Sequence, residues 1–517
     1  MALVLGLDIG STTTKAALVA VADDVVVVRV ARTPTPASPA ELIGAAAAVT
    51  RECLVGANGP IVAVGIASMA ESGAALGADG TPLTPLLRWD RRVDPRHLDD
   101  LLARHPDLPA RTGVPATTKP AAVALTALAV EKPERFEAMR HWAGAADLVA
   151  HALTGMRATD HTLAARTMMA GSRGDGWDAA VLDGIGIDAA VLPEVRAPGE
   201  PVAETSDAAR AFGLPRGVPV HIAGHDHAVG AWASGVRAPG AVADSLGTAE
   251  AVVRVTSDPD PRAAGRDAAG GAAAAGAARA HAASADAAGA SGMGAAGAAA
   301  GAKIHTAGFA SADAVANGFS VGRTVDGSAR TILGGSRACG AMLAWWADEH
   351  PEDHVWSHLS SATAEPWSTS AMTVLPYPSG RQCPHPRSGA RVVLRDASAD
   401  PADRSRAVLQ ALVFQARWMR EVSDAHAGSP ASAIAVLGSL ARRIPAWVPL
   451  TATAALPTRR IIPAEPVAAG AALLAAVRAG EASADLMLPG EDLEPAHAPG
   501  LDDAYRRFLA TACEGDS

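Results

Sequence analysis

The chain has 517 residues, of which 49% are hydrophobic and 19% are charged, and its net charge is −10. A chain of this length can bury two sizeable cores, and its negative charge repels nucleic acid. No apolar stretch reaches the ~18 residues of a membrane span, and the N-terminus lacks the basic-then-apolar order of a signal peptide. Composition therefore predicts a cytoplasmic protein with no nucleic-acid or membrane partner.

The four cysteines are widely separated and contain no C-x-x-C pair. This spacing argues against a disulfide framework or a zinc site. We expect reduced, packed thiols at Cys53, Cys339, Cys383 and Cys513.

Near the N-terminus, an apolar run reaches a polar turn and then resumes, which predicts two strands around a tight turn. Gly10 lets the backbone approach a ligand closely. The next residues, Ser11, Thr12 and Thr13, offer amide and hydroxyl donors that suit phosphate oxygens. Asp8, at the strand end, could hold a hydrated magnesium ion. An ordinary hairpin remains the alternative, because the pattern is not a Walker A loop.

A second segment leads from a predicted strand, 218–223, into Gly224-His225-Asp226-His227 and a stretch of small residues. Asp226 falls at a predicted helix start, where an aspartate can simply cap the helix for ~1 kcal/mol. Two histidines around an aspartate also resemble metal ligands. Zinc is disfavoured, because no third His or Cys lies at ligand spacing and alternate residues at a helix start diverge.

These segments and several others occur in an order that resembles the FGGY family of carbohydrate kinases, which includes xylulose, gluconate and glycerol kinases. The family's D-x-G-[ST]-x-[ST]-x-K phosphate loop is matched by Asp8, Gly10, Ser11, Thr13 and Lys15. Further matches follow in the family's order: a substrate segment at 64–73, a W-D-x-R-like element at 89–92, GHDH at 224–227, a second phosphate motif at 244–250, an LPY element at 375–384, an adenosine-side turn at 436–439 and a small-residue helix at 466–472.

The resemblance implies an α/β protein of two ribonuclease-H-like domains, the superfold of actin and sugar kinases, with the ligand cleft between them. It implies ATP and Mg²⁺ as cofactors and Asp226 as the catalytic base, with Asp8 and Asp226 near the metal. Phosphate contacts are expected from Ser245, Gly247 and Thr248, and adenosine contacts from Gly438 and Ser439.

The predicted domain organisation follows the order of these motifs. The N-terminal domain spans 1–238, and the C-terminal domain spans 239–490. A low-complexity Ala/Gly insertion occupies 263–302 within the second domain. The remaining residues, 491–517, form a C-terminal tail.

The resemblance implies substrate contacts from Met69, Ala70 and Glu71. Glu71 aligns with a glutamate of glycerol-type kinases, and a carboxylate can accept hydrogen bonds from adjacent hydroxyls. Ala70, however, replaces the glycerol-type arginine, which argues against glycerol. A further set of predicted sugar contacts comprises His227, which replaces a common amide residue, together with Asp90 and Arg92, for which surface ion pairing is the alternative.

The sequence thus predicts an ATP-dependent kinase that phosphorylates a hydroxyl of a small sugar, with a ketopentose such as xylulose as the first candidate. A polyol of the erythritol or glycerol type and a sugar acid stay open as substrates. An actin-like ATPase or a phosphatase would lack the segment around Glu71 and the helix carrying Asp226. A catalytically idle sugar or ATP sensor is the non-enzymatic alternative, and a homodimer is common among resembling proteins.

Overall fold

The computed structural model describes residues 2–172, 176–257, 309–363, 367–453 and 456–514. The insertion predicted at 263–302 lies outside the described residues.

The first half of the chain alternates strands and helices, as its apolar patterns predict. Its strands are β1 (Ala2–Ile9), β2 (Thr13–Val21), β3 (Val25–Pro34), β4 (Ile61–Ser68), β5 (Gly73–Leu76), β6 (His141–Gly144), β7 (Ala158–Asp160), β8 (Glu194–Arg196), β9 (Ala203–Glu204) and β10 (Pro219–His225). Its helices are α1 (Pro39–Leu54), α2 (Arg96–Arg104), α3 (Leu108–Thr112), α4 (Ala121–Glu131), α5 (Pro133–Ala138), α6 (Ala145–Thr154), α7 (His161–Ala165), α8 (Ala179–Ile185) and α9 (Asp226–Ala233).

The second half repeats this alternation. Its strands are β11 (Ala241–Leu246), β12 (Glu250–Val255), β13 (Phe319–Arg323), β14 (Arg330–Ser336), β15 (Thr373–Leu375), β16 (Val393–Arg395), β17 (Ala433–Leu437), β18 (Thr458–Ile461) and β19 (Gly490–Leu493). Its helices are α10 (Phe309–Ala316), α11 (Gly340–Glu349), α12 (Val355–Ser361), α13 (Pro401–Ala427), α14 (Ser439–Arg443), α15 (Trp447–Ala452), α16 (Pro466–Arg478) and α17 (Leu501–Cys513).

Two large sheets with the same plan organise these elements. The first has the order β3-β2-β1-β4-β10-β9, and the second has the order β13-β14-β12-β11-β17-β18-β19. In each sheet, a group of antiparallel strands is followed by two strands that pair in parallel. In the first sheet β1 pairs with β4 and β4 with β10, and in the second sheet β11 pairs with β17 and β17 with β18. This repeated plan confirms the predicted duplicated α/β superfold.

The helix α16 packs against the first sheet and against α9, although its residues come late in the chain. A side chain on Gly6 of β1 would place its Cβ 1.9 Å from the carbonyl oxygen of Ala468. A side chain on Gly65 of β4 would meet the carbonyl oxygen of Ala471 at 2.0 Å. The small residues of this helix and of the two strands therefore permit an approach that larger side chains would block.

The segment 491–517, predicted as a tail, contributes to the second sheet and its core. Strand β19 extends across its start and pairs with β18, and helix α17 buries Tyr505 and Phe508. Phe508 lies 6.3 Å from the ring of Trp418 on α13, measured between ring centroids. Because buried aromatic side chains of α13 and α17 pack against each other, the two helices share one hydrophobic core.

The cysteine prediction is correct at three positions. Cys53, Cys339 and Cys383 are free and buried, whereas Cys513 is free but exposed near the end of α17. Among the described residues, none of the helices combines the length and the apolar character that crossing a bilayer requires.

Candidate active site

One cavity of about 290 Å³ opens where β1, β4, β10, β11 and β17 end. The carboxyl ends of parallel strands in open α/β sheets are the usual place for ligands. All predicted site residues except two line this cavity, namely Asp8, Gly10, Ser11, Thr12, Thr13, Lys15, Met69, Ala70, Glu71, Asp226, His227, Ser245, Gly247, Thr248, Gly438 and Ser439.

The first predicted phosphate turn joins β1 to β2 and carries an ion pair. A Cβ on Gly10 would lie 2.9 Å from the carbonyl oxygen of Thr13, so the tight turn requires glycine. Across the two strands, Lys15 Nζ lies 3.0 Å from Asp8 Oδ2 and 3.5 Å from Glu465 Oε2. The Asp8 carboxylate raises the pKa of Lys15, which keeps this ammonium charged.

The other carboxylate oxygen of Asp8, Oδ1, is buried and has no hydrogen-bond partner among the described residues. A buried carboxylate oxygen without a partner is costly, and a hydrated cation would satisfy it. This atom therefore fits the predicted role of Asp8 near a metal ion.

The second predicted phosphate turn joins β11 to β12 and meets the first turn across the cavity. Thr248 Oγ1 lies 3.0 Å from Thr12 Oγ1. Gly438, which follows β17, has a φ of +110°, and a Cβ there would lie 2.1 Å from the carbonyl oxygen of Leu246. Glycine is therefore required where the predicted adenosine turn packs on the second phosphate turn.

Asp226 is the first residue of α9 and lines the cavity between the two turns. Its Oδ1 accepts a hydrogen bond from the backbone N–H of His227 at 2.7 Å and lies 3.1 Å from His225 Nε2. Burial raises the pKa of Asp226, and the charge of Asp8 adds to the rise.

The two histidines beside Asp226 face each other. Their ring centroids are 5.3 Å apart in an edge-to-face arrangement, so the predicted divergence of these side chains is wrong. His227 Nδ1 lies 3.0 Å from Ser245 Oγ, which links the start of α9 to the second phosphate turn. Burial lowers the pKa of His225 well below its usual range, which leaves this ring neutral.

The opposite end of the cavity contains the predicted substrate segment. Met69 and Ala70 are buried at the end of β4, and Glu71 has a φ of +61°, in the left-handed region that non-glycine residues rarely adopt. The Glu71 carboxylate accepts a hydrogen bond from Arg166, which also donates to Ser320 on β13. An unusual backbone conformation held by such contacts is typical of ligand sites.

Trp89, Lys119 and Gln382 complete this end of the cavity. Lys119 Nζ donates to Gln382 Oε1 at 2.8 Å and lies 5.0 Å from the centroid of the Trp89 ring. Burial lowers the pKa of Lys119 to about 8, and the charge of Glu71 opposes that shift. This end of the cavity therefore offers both a carboxylate and two cationic side chains to a polar ligand.

The predicted substrate residues Asp90 and Arg92 lie outside the cavity lining, and both are exposed. Asp90 accepts hydrogen bonds from Arg88 Nε at 3.0 Å and Nη2 at 2.8 Å. The neighbouring Trp89 faces the cavity instead. The alternative of surface ion pairing is therefore the better interpretation for Asp90.

Sequence reasoning missed several charged or polar residues of the cavity, among them Lys119, Arg166, Gln382 and Glu465. One signal was available, because the chain has only four lysines, of which Lys15 and Lys119 line the cavity. The other three residues are brought in by packing between distant segments, which no local pattern records.

Comparison with known proteins agrees with this geometry. The N-terminal domain model of the FGGY family of carbohydrate kinases matches residues 3–233, and the C-terminal domain model of the same family matches residues 308–479. The chain belongs to the FGGY family of carbohydrate kinases.

Individual relatives are more distant. The chain is 31% identical over 277 residues to a xylulose kinase from Streptomyces rubiginosus, which covers 51% of this chain and 57% of that protein. It is 27% identical over 208 residues to an L-fuculokinase from Haemophilus influenzae, and this alignment covers 39% of this chain and 43% of that protein. The chain thus spans about half the length of the curated relatives it matches.

Among solved structures, a ligand-bound xylulose kinase from Lactobacillus acidophilus is similar with a TM-score of 0.76. The superposition covers 99% of this chain and 97% of that chain at 18% identity. At this identity, the similarity shows the fold.

Proposed function

We propose that this chain is an ATP-dependent kinase that transfers the γ-phosphate of ATP to a hydroxyl of a small sugar. The observation that carries the proposal is the meeting of two phosphate turns with Asp226 in one cavity. Membership of a carbohydrate kinase family supports the same reaction.

In the proposed reaction, Asp226 accepts the proton of the sugar hydroxyl while the oxygen attacks the γ-phosphorus and ADP leaves. A positioned general base contributes about 10²–10⁴-fold to a rate. The raised pKa of Asp226 makes its carboxylate a better proton acceptor. Because phosphoryl transfer depends mainly on positioning and charge stabilisation, Lys15 and the two turns would supply the remaining contacts to phosphate oxygens.

Mg²⁺ would enter with ATP and neutralise charge on its phosphates. Asp8 would hold the ion through water, with the Asp226 carboxylate near the ion but free to accept the proton, and the buried Asp8 Oδ1 with no partner among the described residues fits the role of Asp8. The glycine turn at Gly438 and Ser439 would lie against the adenosine. Since three of the four thiols are free and buried, a reducing cytoplasmic location is consistent with the proposal.

For the substrate, we propose a ketopentose such as xylulose as the first candidate, with support from the xylulose kinase among the relatives. Glu71, with one oxygen committed to Arg166, could bind adjacent hydroxyls through the other. A sugar acid is the second candidate, because Lys119 and Arg166 place two cations beside a single carboxylate at this end of the cavity. A polyol has no comparable observation in its favour.

The test is ADP release with Mg-ATP across ketopentoses, hexuloses, polyols and aldonic acids, with wild type and Asp226→Asn compared. We expect one strongly stimulating class, with turnover in Asp226→Asn lower by about 10²–10⁴-fold and nucleotide and sugar binding retained. Asp90→Asn is the matched control, because Asp90 is exposed outside the cavity, and it should keep near-normal turnover. Near-normal turnover in Asp226→Asn would refute the proposed base, and ATP binding without stimulation by any sugar would favour the sensor.

A further inference from the structure

Three consecutive residues, His225, Asp226 and His227, bring metal-binding atoms together at the cavity. Two imidazole nitrogens and one carboxylate oxygen lie within 4.8 Å of one another. Histidines two positions apart on one helix would diverge, but the chain changes here from the extended β10 to the helical α9. His225 has φ −62° and ψ 129°, whereas Asp226 begins the helix, and this change turns the two rings toward each other.

The donor set distinguishes between metals. Mg²⁺ prefers oxygen ligands in an octahedron. Zn²⁺ in an open site instead takes three protein ligands, which can be imidazole nitrogens and carboxylate oxygens at about 2.0–2.2 Å from the ion, and keeps a fourth position open. Two nitrogens and one oxygen therefore suit Zn²⁺ and similar borderline ions better than Mg²⁺. Tetrahedral ligands at these bond lengths lie about 3.4 Å apart. Ligand atoms separated by up to 4.8 Å must therefore close by up to about 1.4 Å around such an ion, through rotation of the side chains.

The surroundings of His227 support ligation. Its Nδ1 lies 3.0 Å from Ser245 Oγ, so the hydroxyl orients the ring through this nitrogen and a metal would bind through the other nitrogen, Nε2. A hydrogen bond to the opposite ring nitrogen commonly orients metal-binding histidines. His225 is itself almost completely buried, which limits its competing contacts with water.

We propose that His225, Asp226 and His227 form an inhibitory site for Zn²⁺ or a chemically similar transition-metal ion. The inhibitory part rests on the proposed kinase function, because an ion bound to the Asp226 carboxylate takes the electron pair that would accept the sugar proton. The ion also occupies the place of the sugar hydroxyl. Inhibition should therefore be competitive with the sugar and should be reversed by a chelator.

The first experiment measures metal binding alone, without ATP or sugar, on the full chain free of any histidine tag. Equilibrium dialysis with Zn²⁺ and the visible absorption of bound Co²⁺ report stoichiometry and ligand geometry. Wild type should bind one ion per chain. Loss of a residue that only hydrogen-bonds to a metal ligand typically lowers metal affinity about 10–100-fold. Loss of a ligand itself, in His227→Gln, should therefore weaken binding by at least about tenfold.

His151→Gln is the control, because His151 is exposed on α6 and away from the cavity. It should bind the metal like wild type. Asp226→Asn is a second ligand variant, needed in case His227→Gln fails to fold, and thermal unfolding without metal checks both. Absence of binding in wild type, or equal affinity in wild type and a folded ligand variant, would overturn the site.

Activity is measured separately at buffered free Zn²⁺, so that chelation by ATP is not mistaken for inhibition. An increase in the apparent KM for the sugar with unchanged kcat is expected in wild type and in His151→Gln. Inhibition that no sugar concentration relieves would overturn the inhibitory mechanism. If no sugar supports turnover but Zn²⁺ binds as described, the kinase proposal fails while the metal site stands.

Discussion

The two hairpins at the cavity share a topology and differ in where they carry charge. Strands β1 and β2 pair antiparallel around Gly10, as β11 and β12 pair around Gly247, and each hairpin is followed by a parallel neighbour. When Gly10 and Gly247 are aligned, Asp8 of the first hairpin corresponds to Ser245 of the second. At the cavity, therefore, the first hairpin presents an ion pair and the second presents a neutral hydroxyl.

The acidic residues of the second hairpin are held differently. Asp244 and Glu250 are almost completely buried, and none of their carboxyl oxygens has a hydrogen-bond partner among the described residues. Burial raises the pKa of Asp244 to about 7 and raises the pKa of Glu250 well above its usual range. The first hairpin, in contrast, keeps Asp8 beside the ammonium of Lys15 at 3.0 Å.

The difference indicates a division of labour between duplicated elements. A phosphate chain that carries several negative charges needs cations on at least one side and tolerates neutral donors on the other. In the proposed kinase reaction, charge for the metal and the phosphates would come from the first hairpin, and the second hairpin would add hydroxyl and amide donors. Neutral carboxyl groups in the second hairpin would avoid repelling the nucleotide.

Substitution of the equivalent positions Asp8 and Ser245 gives the largest expected effect. Asp8→Asn removes the charge proposed to support the metal and should lower kcat by at least about 100-fold, since metal stabilisation of charge is worth several kcal/mol. Ser245→Ala removes one neutral hydrogen bond worth about 0.5–1.5 kcal/mol and should lower kcat at most about tenfold. Steady-state ADP release measures both. Equal losses, or a larger loss in Ser245→Ala, would contradict the proposed division.

The glycines of the two turns should differ in their effect on stability. A Cβ on Gly10 would lie 2.9 Å from the carbonyl oxygen of Thr13, which is backbone, whereas a Cβ on Gly247 would come no closer than 3.4 Å to the carbonyl oxygen of Ala249. Gly10→Ala should therefore cost about 1–3 kcal/mol in the free energy of unfolding, and Gly247→Ala less than about 0.5 kcal/mol. Urea denaturation of the ligand-free protein compares them. A similar cost at both positions would show that the two turns are equally tight.

The buried acids of the second hairpin predict a particular pH dependence of stability. The unfolded chain loses the Asp244 proton near its ordinary pKa of about 4, and the folded chain loses it near 7. Between these values the folded state binds more protons, so the free energy of unfolding falls as pH rises. Asp244→Asn cannot titrate and should show a shallower fall.

Urea titrations at pH 5 and pH 8 measure this effect. Wild type should lose more than about 1 kcal/mol relative to Asp244→Asn over that interval, because one pKa unit corresponds to 1.36 kcal/mol. Glu250→Gln should flatten the profile in the same direction, since burial raises the pKa of Glu250 as well. Parallel profiles in wild type and both variants would show that these carboxyl groups titrate normally.

Local patterns were enough to predict the parts of the molecule that local forces determine. The continuous apolar run of β1, the polar turn after it and the helix start at Asp226 all come from neighbouring residues. The duplicated fold and the second phosphate turn required the order of motifs along the whole chain. Their positions around one cavity then followed from strands ending at the same edge of each sheet.

What sequence reasoning missed depends on contacts between distant segments or on exact backbone angles. Arg166 reaches Glu71 from 95 positions along the chain, and Lys119 reaches Gln382 from 263 positions away. The facing rings of His225 and His227 depend on the strand-to-helix change between them. The exposed position of Asp90 depends on how a loop turns Trp89 inward, which a four-residue motif does not specify.

The smallest expected effect concerns the contact that joins the two hairpins, between Thr12 Oγ1 and Thr248 Oγ1 at 3.0 Å. If the phosphates of ATP enter between the turns, each hydroxyl exchanges its partner for a phosphate oxygen and the two no longer touch. Thr12→Val and Thr248→Val should then each weaken ATP binding only a few-fold. Their effects on binding free energy should add within about 0.3–0.5 kcal/mol in the double variant, as for independent sites. A larger coupling energy would mean that the hydroxyls stay in contact with ATP bound and that the phosphates lie to one side of both turns.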